Sequence, residues 1–280
     1  MNQTSKLTDR TALEQHRKRA KRNPEYFLFR EIAADLEERL SEINKSFTRQ
    51  ALVGGLTAPF LDVLDRPLVT EDTETLNLER TAHDLVVHAL ALHWSDDPIG
   101  QIVQSRLALE PDGLFVGIMF GGQTLNELRT ALSEAEARTS NGISPRVLSM
   151  GDLRDLGSIL QRAGLALPVA DGRTITVRYK SLGDLVRDLR GMGETNALSQ
   201  RQRRPASRRL FSETEDIYRR HFADEDGLLI ATFEVVFLTG WAPSDSQPKP
   251  LRPGSATQRL ADALGTTEQN AGEEITPPKR

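Results

Sequence analysis

Asp84-Leu-Val-Val-His-Ala-Leu-Ala-Leu92 is a near-continuous apolar run of strand length, and it decides the fold class of this 280-residue chain. Such a run is typical of a strand that is buried on both faces in a parallel sheet. Asp97-Pro98 then opens a helix, and Leu114-Phe-Val-Gly-Ile-Met-Phe120 is a second apolar run. This strand, helix, strand order predicts a right-handed parallel crossover and therefore an α/β fold.

Further strand and helix patterns flank this unit on both sides. Residues 51–53 and 67–70 are short strand candidates before it. After it, residues 173–179 alternate with period two, and residues 228–239 form a long apolar strand candidate that ends before Gly240. Helical spacing is found over residues 26–43, 59–64, 97–109, 124–138, 150–163, 181–190 and 210–222.

The composition excludes several classes of protein. With no cysteine, the chain has no disulfides, thiolate zinc sites, iron–sulfur clusters or cysteine nucleophiles. No run approaches the roughly 18 apolar residues that a membrane helix needs, and the first twenty residues are polar. We therefore expect a cytoplasmic protein with no transmembrane segment.

Charge is distributed unevenly although the net charge is only −4. Residues 16–22 and the arginines between 201 and 209 form two basic clusters. Neither cluster contains the aromatic residues that stack on bases, so we interpret both as solvated surfaces, and nucleic acid is a disfavoured partner. RNA modification is kept as an alternative hypothesis for the function of these clusters.

The chain divides into three parts on composition. Residues 1–22 form a basic N-terminal segment, residues 23–242 form the domain, and residues 243–280 form a tail rich in Pro, Ser, Gln and Lys. We expect the tail to be largely disordered, apart from a short helix candidate over residues 256–264.

Ligands of a parallel α/β sheet bind at the carboxyl ends of the strands, so the loops there are candidate sites. Gly54 and Gly55 follow the first strand, Asp72 the second, and His93 and Trp94 the third. A nucleotide fingerprint normally has three spaced glycines, so the adjacent pair fits a cofactor loop and a plain turn equally well. We predict no metal site, because histidines every five residues along a strand point to opposite faces.

Four motifs carry a resemblance to a known family. They are Leu90-Ala-Leu-His-Trp-Ser-Asp-Asp97, the stretch from Leu109 to Arg129 with its Met119-Phe-Gly-Gly122, Leu189-Arg-Gly-Met-Gly-Glu-Thr-Asn196, and Gly240-Trp241 with Gly254-Ser-Ala256. They resemble the methyltransferase-like assembly factors of respiratory complex I and, more distantly, the malonyl-carrier-protein methyltransferase of biotin synthesis. The resemblance implies a Rossmann-like class I S-adenosylmethionine-dependent methyltransferase sheet that ends in an antiparallel C-terminal strand pair. It also implies a complex I subunit as partner and, in the eukaryotic members, hydroxylation of an arginine.

The first half of the chain departs from this family pattern. Ala51-Leu-Val-Gly-Gly-Leu-Thr57 replaces the family's Asp-x-Gly-x-Gly-x-Gly loop. The interval from this loop to residue 84 is also short by roughly a strand and a helix. We therefore predict a shortened first half, with lost donors that would weaken S-adenosylmethionine binding.

Two functional hypotheses follow from the resemblance. The first is an S-adenosylmethionine-dependent protein that methylates or hydroxylates a protein substrate in complex I assembly, and the second is a non-catalytic assembly chaperone that has lost the cofactor. Asp96 and Glu194 are weak catalytic candidates, and contact of residues 26–43 with a membrane surface is left open. The candidate cofactor residues are Gly54, Gly55, Asp72, His93 and Trp94, and the candidate substrate residues are Gly121, Gly122, Arg129, Met192, Glu194 and Asn196.

Overall fold

The computed structural model describes residues 6–140 and 142–248, together with Gly265. Within these residues, six strands form one sheet in the order β2-β1-β3-β4-β6-β5. The strands are β1 (Gln50–Val53), β2 (Leu68–Thr70), β3 (His83–Ala89), β4 (Leu109–Phe120), β5 (Ala166–Tyr179) and β6 (Leu229–Trp241). The helices are α1 (Arg10–Ala20), α2 (Phe27–Glu42), α3 (Ala58–Leu61), α4 (Pro98–Ala108), α5 (Asn126–Thr139), α6 (Leu153–Arg162), α7 (Leu182–Gly191) and α8 (Arg208–Phe222).

The predicted parallel crossover forms the centre of the sheet. β3 pairs in parallel with β1 on one side and with β4 on the other, and α4 connects β3 to β4. All seven residues of β3 are buried because both faces of the strand are covered. Leu85 and Val87 pack against α2, α7 and α8 on one face, whereas Val86 packs against α4 and α6 on the other. The α/β class predicted from the apolar run is therefore confirmed.

The two C-terminal strands give the sheet its antiparallel end. β6 runs antiparallel to β4, with Val116 opposite Thr239, and β5 runs antiparallel to β6 along nearly its whole length. The predicted antiparallel C-terminal strand pair is confirmed. This arrangement buries β6 between two neighbours, which explains its long apolar sequence.

The first half of the sheet is shortened as predicted. Residues 71–82, which connect β2 to β3, contain neither a helix nor a strand, and α3 has only four residues. β2 therefore lies at the edge of the sheet, and Leu68 and Val69 remain 45% and 47% exposed. A further strand and helix would have covered these side chains.

The basic N-terminal segment was set apart from the domain on composition, but the structure places its helix α1 in the same compact unit as the domain. Ala12, Leu13 and Ala20 of α1 are buried, and Arg17 is buried beside them. The helix candidate over residues 256–264 lies outside the described residues. No helix in the described part of the chain is long and apolar enough to cross a membrane.

Candidate functional site

The loops after β1, β2 and β3 meet at the carboxyl edge of the sheet, as the parallel pairing requires. The backbone N–H of Gly54 donates to the carbonyl oxygen of Thr70 over 3.1 Å. A Cβ atom on Gly54 would lie only 2.7 Å from the carbonyl oxygen of Ala89. Glycine is therefore required at position 54 because the β1 and β3 backbones approach closely, whether or not a ligand binds.

Arg17 of α1 occupies the space above the second glycine. A Cβ atom on Gly55 would lie 2.4 Å from Cδ and from Nε of Arg17, so the guanidinium rests directly on the glycine backbone. Arg17 Nη1 also donates to Asp72 Oδ1 over 2.5 Å. From the other side, Arg10 donates to Asp72 Oδ2 and to the Asp72 carbonyl, each over 3.0 Å. The carboxylate of Asp72, one of the candidate cofactor residues, is thus bound by two arginines of the same chain.

Hydrogen bonds and an ion pair hold the N-terminal segment over this edge of the sheet. The backbone N–H groups of Leu7 and Thr8 donate to Asp96 Oδ1 over 2.7 and 3.1 Å. Asp9 caps α1 by accepting from the Ala12 N–H and forms an ion pair with Arg201 at 2.8 Å. These contacts fix the position of α1. Leu13 and Arg17, on the inner face of the helix, are buried in the cleft.

The two arginines outweigh the effect of burial on Asp72. Burial by itself raises the pKa of this carboxyl, but the charges of Arg17 and Arg10 hold the pKa at about 2. A carboxyl whose pKa is lowered in the folded state stabilises the fold above its unfolded pKa, and the stabilisation is lost as the pH falls through the folded value. The ion-pair cluster is therefore complete at neutral pH.

We expect this cluster to give the protein a measurable acid sensitivity. Between about pH 6 and about pH 2, the wild type should lose about 2 kcal/mol of unfolding free energy through Asp72 alone. Urea unfolding of the wild type and of Asp72→Asn over this range measures the contribution as the difference between the two pH profiles. Parallel profiles for the two proteins would contradict the assignment.

Glu194 forms a second cluster with the other two cofactor candidates. It follows α7, where Gly193 at φ 74° lets the chain turn. Trp94 Nε1 donates to Glu194 Oε2 over 2.7 Å, and His93 Nε2 lies 3.1 Å from the same oxygen. Glu194 Oε1 makes no hydrogen bond within the described residues. The carboxylate is thus held through one oxygen, while the other remains able to accept a hydrogen bond from a ligand.

A cavity of about 340 Å³ lies beside Glu194. Its lining is mainly apolar and includes Phe120, Phe233 and side chains of α5 and α7, with Glu194 and Asn196 as polar members. Arg19, Arg146 and Arg190 also line it, and Arg19 and Arg190 are exposed. A mainly apolar cavity with a carboxylate in its wall suits a ligand with an aliphatic stem and a cationic end.

A second cavity of about 560 Å³ lies on the Asp72 side of the cleft. It is lined by Asp72, Asp96, Arg10 and Gln101, and Trp94 lines both cavities. His16 of α1 lines the first cavity while Arg10 lines the second. α1 therefore divides the carboxyl-edge cleft into two parts. Asp96 and Glu194, the two catalytic candidates, lie in different parts.

The remaining substrate candidates support the walls of the cleft. Arg129 donates to the carbonyls of Thr124 and Leu148 over 3.1 and 3.2 Å, and burial lowers its pKa. Met192 is fully buried in the core, and Asn196 donates to the Pro145 carbonyl over 2.9 Å. These residues hold the loops together, and only Asn196 among them also lines the first cavity.

Gly121 and Gly122 both lie close to neighbouring atoms. A Cβ atom on Gly121 would lie 2.5 Å from Oε2 of Glu234, and one on Gly122 would lie 3.3 Å from the Met150 carbonyl oxygen. Neither glycine lines a cavity that the structure shows at this edge. Their predicted role in leaving room for a substrate stays a prediction.

Arg17 and Arg10 are the site residues that the sequence reasoning missed. Arg17 lies in the basic cluster of residues 16–22, which was interpreted as a solvated surface because local charge density says nothing about burial, and Arg10 was not singled out. A signal was present, since Arg10, Leu13, Arg17 and Ala20 recur at the spacing of one helix face, and the apolar members mark that face as buried.

Comparison with known proteins shows similarity to methyltransferases. No family model matches the chain. It is 34% identical over 177 residues to the malonyl-[acyl-carrier protein] O-methyltransferase of Laribacter hongkongensis, covering 63% of this chain and 57% of that protein. A solved structure, a putative methyltransferase of Bacillus halodurans, covers 76% of this chain and aligns over 99% of its own length with a TM-score of 0.48 and 10% identity. The mostly parallel six-stranded sheet with its antiparallel C-terminal strand pair is the Rossmann-like arrangement that the sequence predicted, with a shortened first half.

The nearer relatives are more specific. The chain is 37% identical over 194 residues to arginine-hydroxylase NDUFAF5 of Danio rerio, covering 69% of this chain and 60% of that protein. The Mus musculus protein of the same name is 39% identical over 189 residues, covering 68% and 55%. The chain spans between 44% and 60% of the length of the relatives that carry this name. The chain is thus a relative of the methyltransferase-like complex I assembly factors, and the resemblance recognised in the four motifs is confirmed.

Proposed function

We propose that this chain acts on a protein subunit during assembly of respiratory complex I, by methylation or by arginine hydroxylation. The observation that carries the proposal is the mainly apolar cavity that Glu194 lines. Its walls suit the aliphatic part of a long basic side chain, and the open Glu194 oxygen suits a guanidinium or amine through a charge-assisted hydrogen bond. The similarity to proteins named arginine-hydroxylase supports an arginine as the group that enters.

S-adenosylmethionine is the cofactor that this proposal includes, and the cleft limits how it binds. With α1 in its observed position, Arg17 fills the space above Gly55, and Asp72 is already paired with two arginines. The residues at the carboxyl edge do not fit the cofactor in this arrangement.

The filled cleft also favours a second candidate function. A chaperone that binds the subunit without modifying it would keep the Glu194 cavity and would not need the cleft around Gly55. Either function has a protein partner, and we propose that both are exercised in the cytoplasm. The net charge of −4 gives no support to a nucleic-acid partner.

Mass spectrometry of complex I subunits from cells with and without this gene tests the proposal. If the chain is a modifying enzyme, one subunit should lose the mass of one oxygen or one methylene group in the deletion strain, and assembled complex I should fall. If it is a chaperone, assembly should fall while the subunit masses stay the same. Unchanged assembly and unchanged masses would rule out both functions.

Glu194→Gln tests whether the negative charge of Glu194 is needed for the proposed function. Glutamine still accepts from Trp94, so we expect an unfolding free energy within about 1 kcal/mol of wild type, but the negative charge is lost. Assembled complex I on native gels, or the modified fraction of the subunit, should fall roughly tenfold or more. The matched control is Glu134→Gln, which changes a partly exposed acid on α5 that pairs with Arg138. Equal results for the two variants would remove Glu194 from the site.

A further inference from the structure

α1 occupies the position at which a ligand of this fold would bind. The crevice beyond the carboxyl ends of parallel strands is the ligand position of such sheets. Here the ends of β1 and β2 carry Gly55 and Asp72, and both are covered by Arg17. On the far side of Arg17, Leu13 is fully buried in a cluster with Trp94 and Leu198. One helix thus covers three of the five predicted cofactor residues.

The ion pair between Arg17 and Asp72 is buried, unlike an ion pair on the protein surface. Asp72 is 2% exposed, and its two carboxylate oxygens are taken by different arginines. Gln101 reinforces the loop by donating to the Asp72 and Thr73 carbonyls over 3.3 and 3.1 Å. A ribose that bound to Asp72 would have to compete with a charged donor on each of the two oxygens.

The two cavities show what remains when α1 is in place. The polar cavity beside Asp72 and Asp96 and the apolar cavity beside Glu194 are separate volumes that share Trp94 as a wall. A ligand that reaches from Asp72 to the Glu194 side must pass through the space that Leu13 and Arg17 fill. Moving α1 away would join the two volumes.

We propose that α1 and an adenosyl cofactor compete for one cleft, so that Arg17 must leave Gly55 and Asp72 before S-adenosylmethionine binds. This inference rests on the cofactor that the proposed function includes. α1 is then an internal inhibitor of cofactor binding, and the apparent affinity falls by the fraction of molecules in which α1 is displaced. The N-terminal contacts of Asp96 and Arg201 set how often that occurs.

Calorimetric titration of S-adenosylmethionine into three full-length proteins tests the competition. Arg17→Ala should bind about tenfold or more tightly than the wild type, because the closed form loses one of its two ion pairs to Asp72. Lys18→Ala is the matched control, since Lys18 is the exposed neighbour on the same helix, and it should bind like the wild type. Equal affinity of all three proteins, or no binding by any of them, would overturn the proposal.

Hydrogen exchange of the wild type gives a second test that does not depend on a variant folding correctly. If α1 competes with the cofactor, saturating S-adenosylmethionine should speed amide exchange in residues 10–20. If α1 instead closes over a bound cofactor, exchange there should slow, which would overturn the proposal. Both tests use purified protein, so they can fail while the cellular assay of complex I still supports an assembly function.

Discussion

Asp72→Ala is expected to destabilise the protein by about 3 to 5 kcal/mol, because it leaves a buried guanidinium without its partner. Arg17 lies in the protein interior, and its Nη2 atom already lacks a hydrogen-bond partner within the described residues. Removing the carboxylate therefore strands a charge that water cannot reach. Urea unfolding at neutral pH measures the loss.

Glu74→Ala is the matched control for Asp72→Ala. Glu74 lies two positions further along the same loop and pairs with Lys6 at 2.7 Å, but its side chain is 73% exposed. An exposed pair of this kind contributes at most about 1 kcal/mol, so the control should remain close to wild type. If Asp72→Ala proved as mild as Glu74→Ala, α1 would not be held in the cleft by this ion pair.

Phe120→Ala is expected to cost about 3 to 5 kcal/mol and to enlarge the cavity beside Glu194. Phe120 ends β4 and is almost fully buried, with its ring centroid 5.1 Å from that of His93 and 6.0 Å from that of Phe233. Its ring thus supports both the wall of the cavity and the imidazole that contacts Glu194. Thermal and urea unfolding give the cost.

Phe211→Ala separates a stability effect from a recognition effect in the same cavity. Phe211 also lines it but is 39% exposed, so its removal leaves little buried space and should cost less than about 1 kcal/mol. If the cavity receives the subunit, complex I assembly should nevertheless decline in cells that carry Phe211→Ala. A variant with full assembly activity would show that the Phe211 side of the cavity is not used.

The sequence by itself determined the architecture, because the patterns that specify it are local. The apolar run of β3 and the glycine-bounded run of β4 can only be accommodated between two covering layers, so the parallel centre of the sheet was predictable. The short interval between residues 57 and 84 likewise limited the number of elements that fit there. The motif around Glu194 was recognisable for the same reason, since its residues are consecutive.

Only the tertiary structure decided what the cleft contains. Trp94 and Glu194 are 100 positions apart, and Arg17 and Asp72 are 55 apart. Local sequence periodicity therefore cannot predict either pairing. In the sequence, Arg17 is one of several cations in a basic run, and only the fold brings it into contact with Gly55. Burial turns that cation into the partner of Asp72, because a charge removed from water must find an opposite charge in the protein.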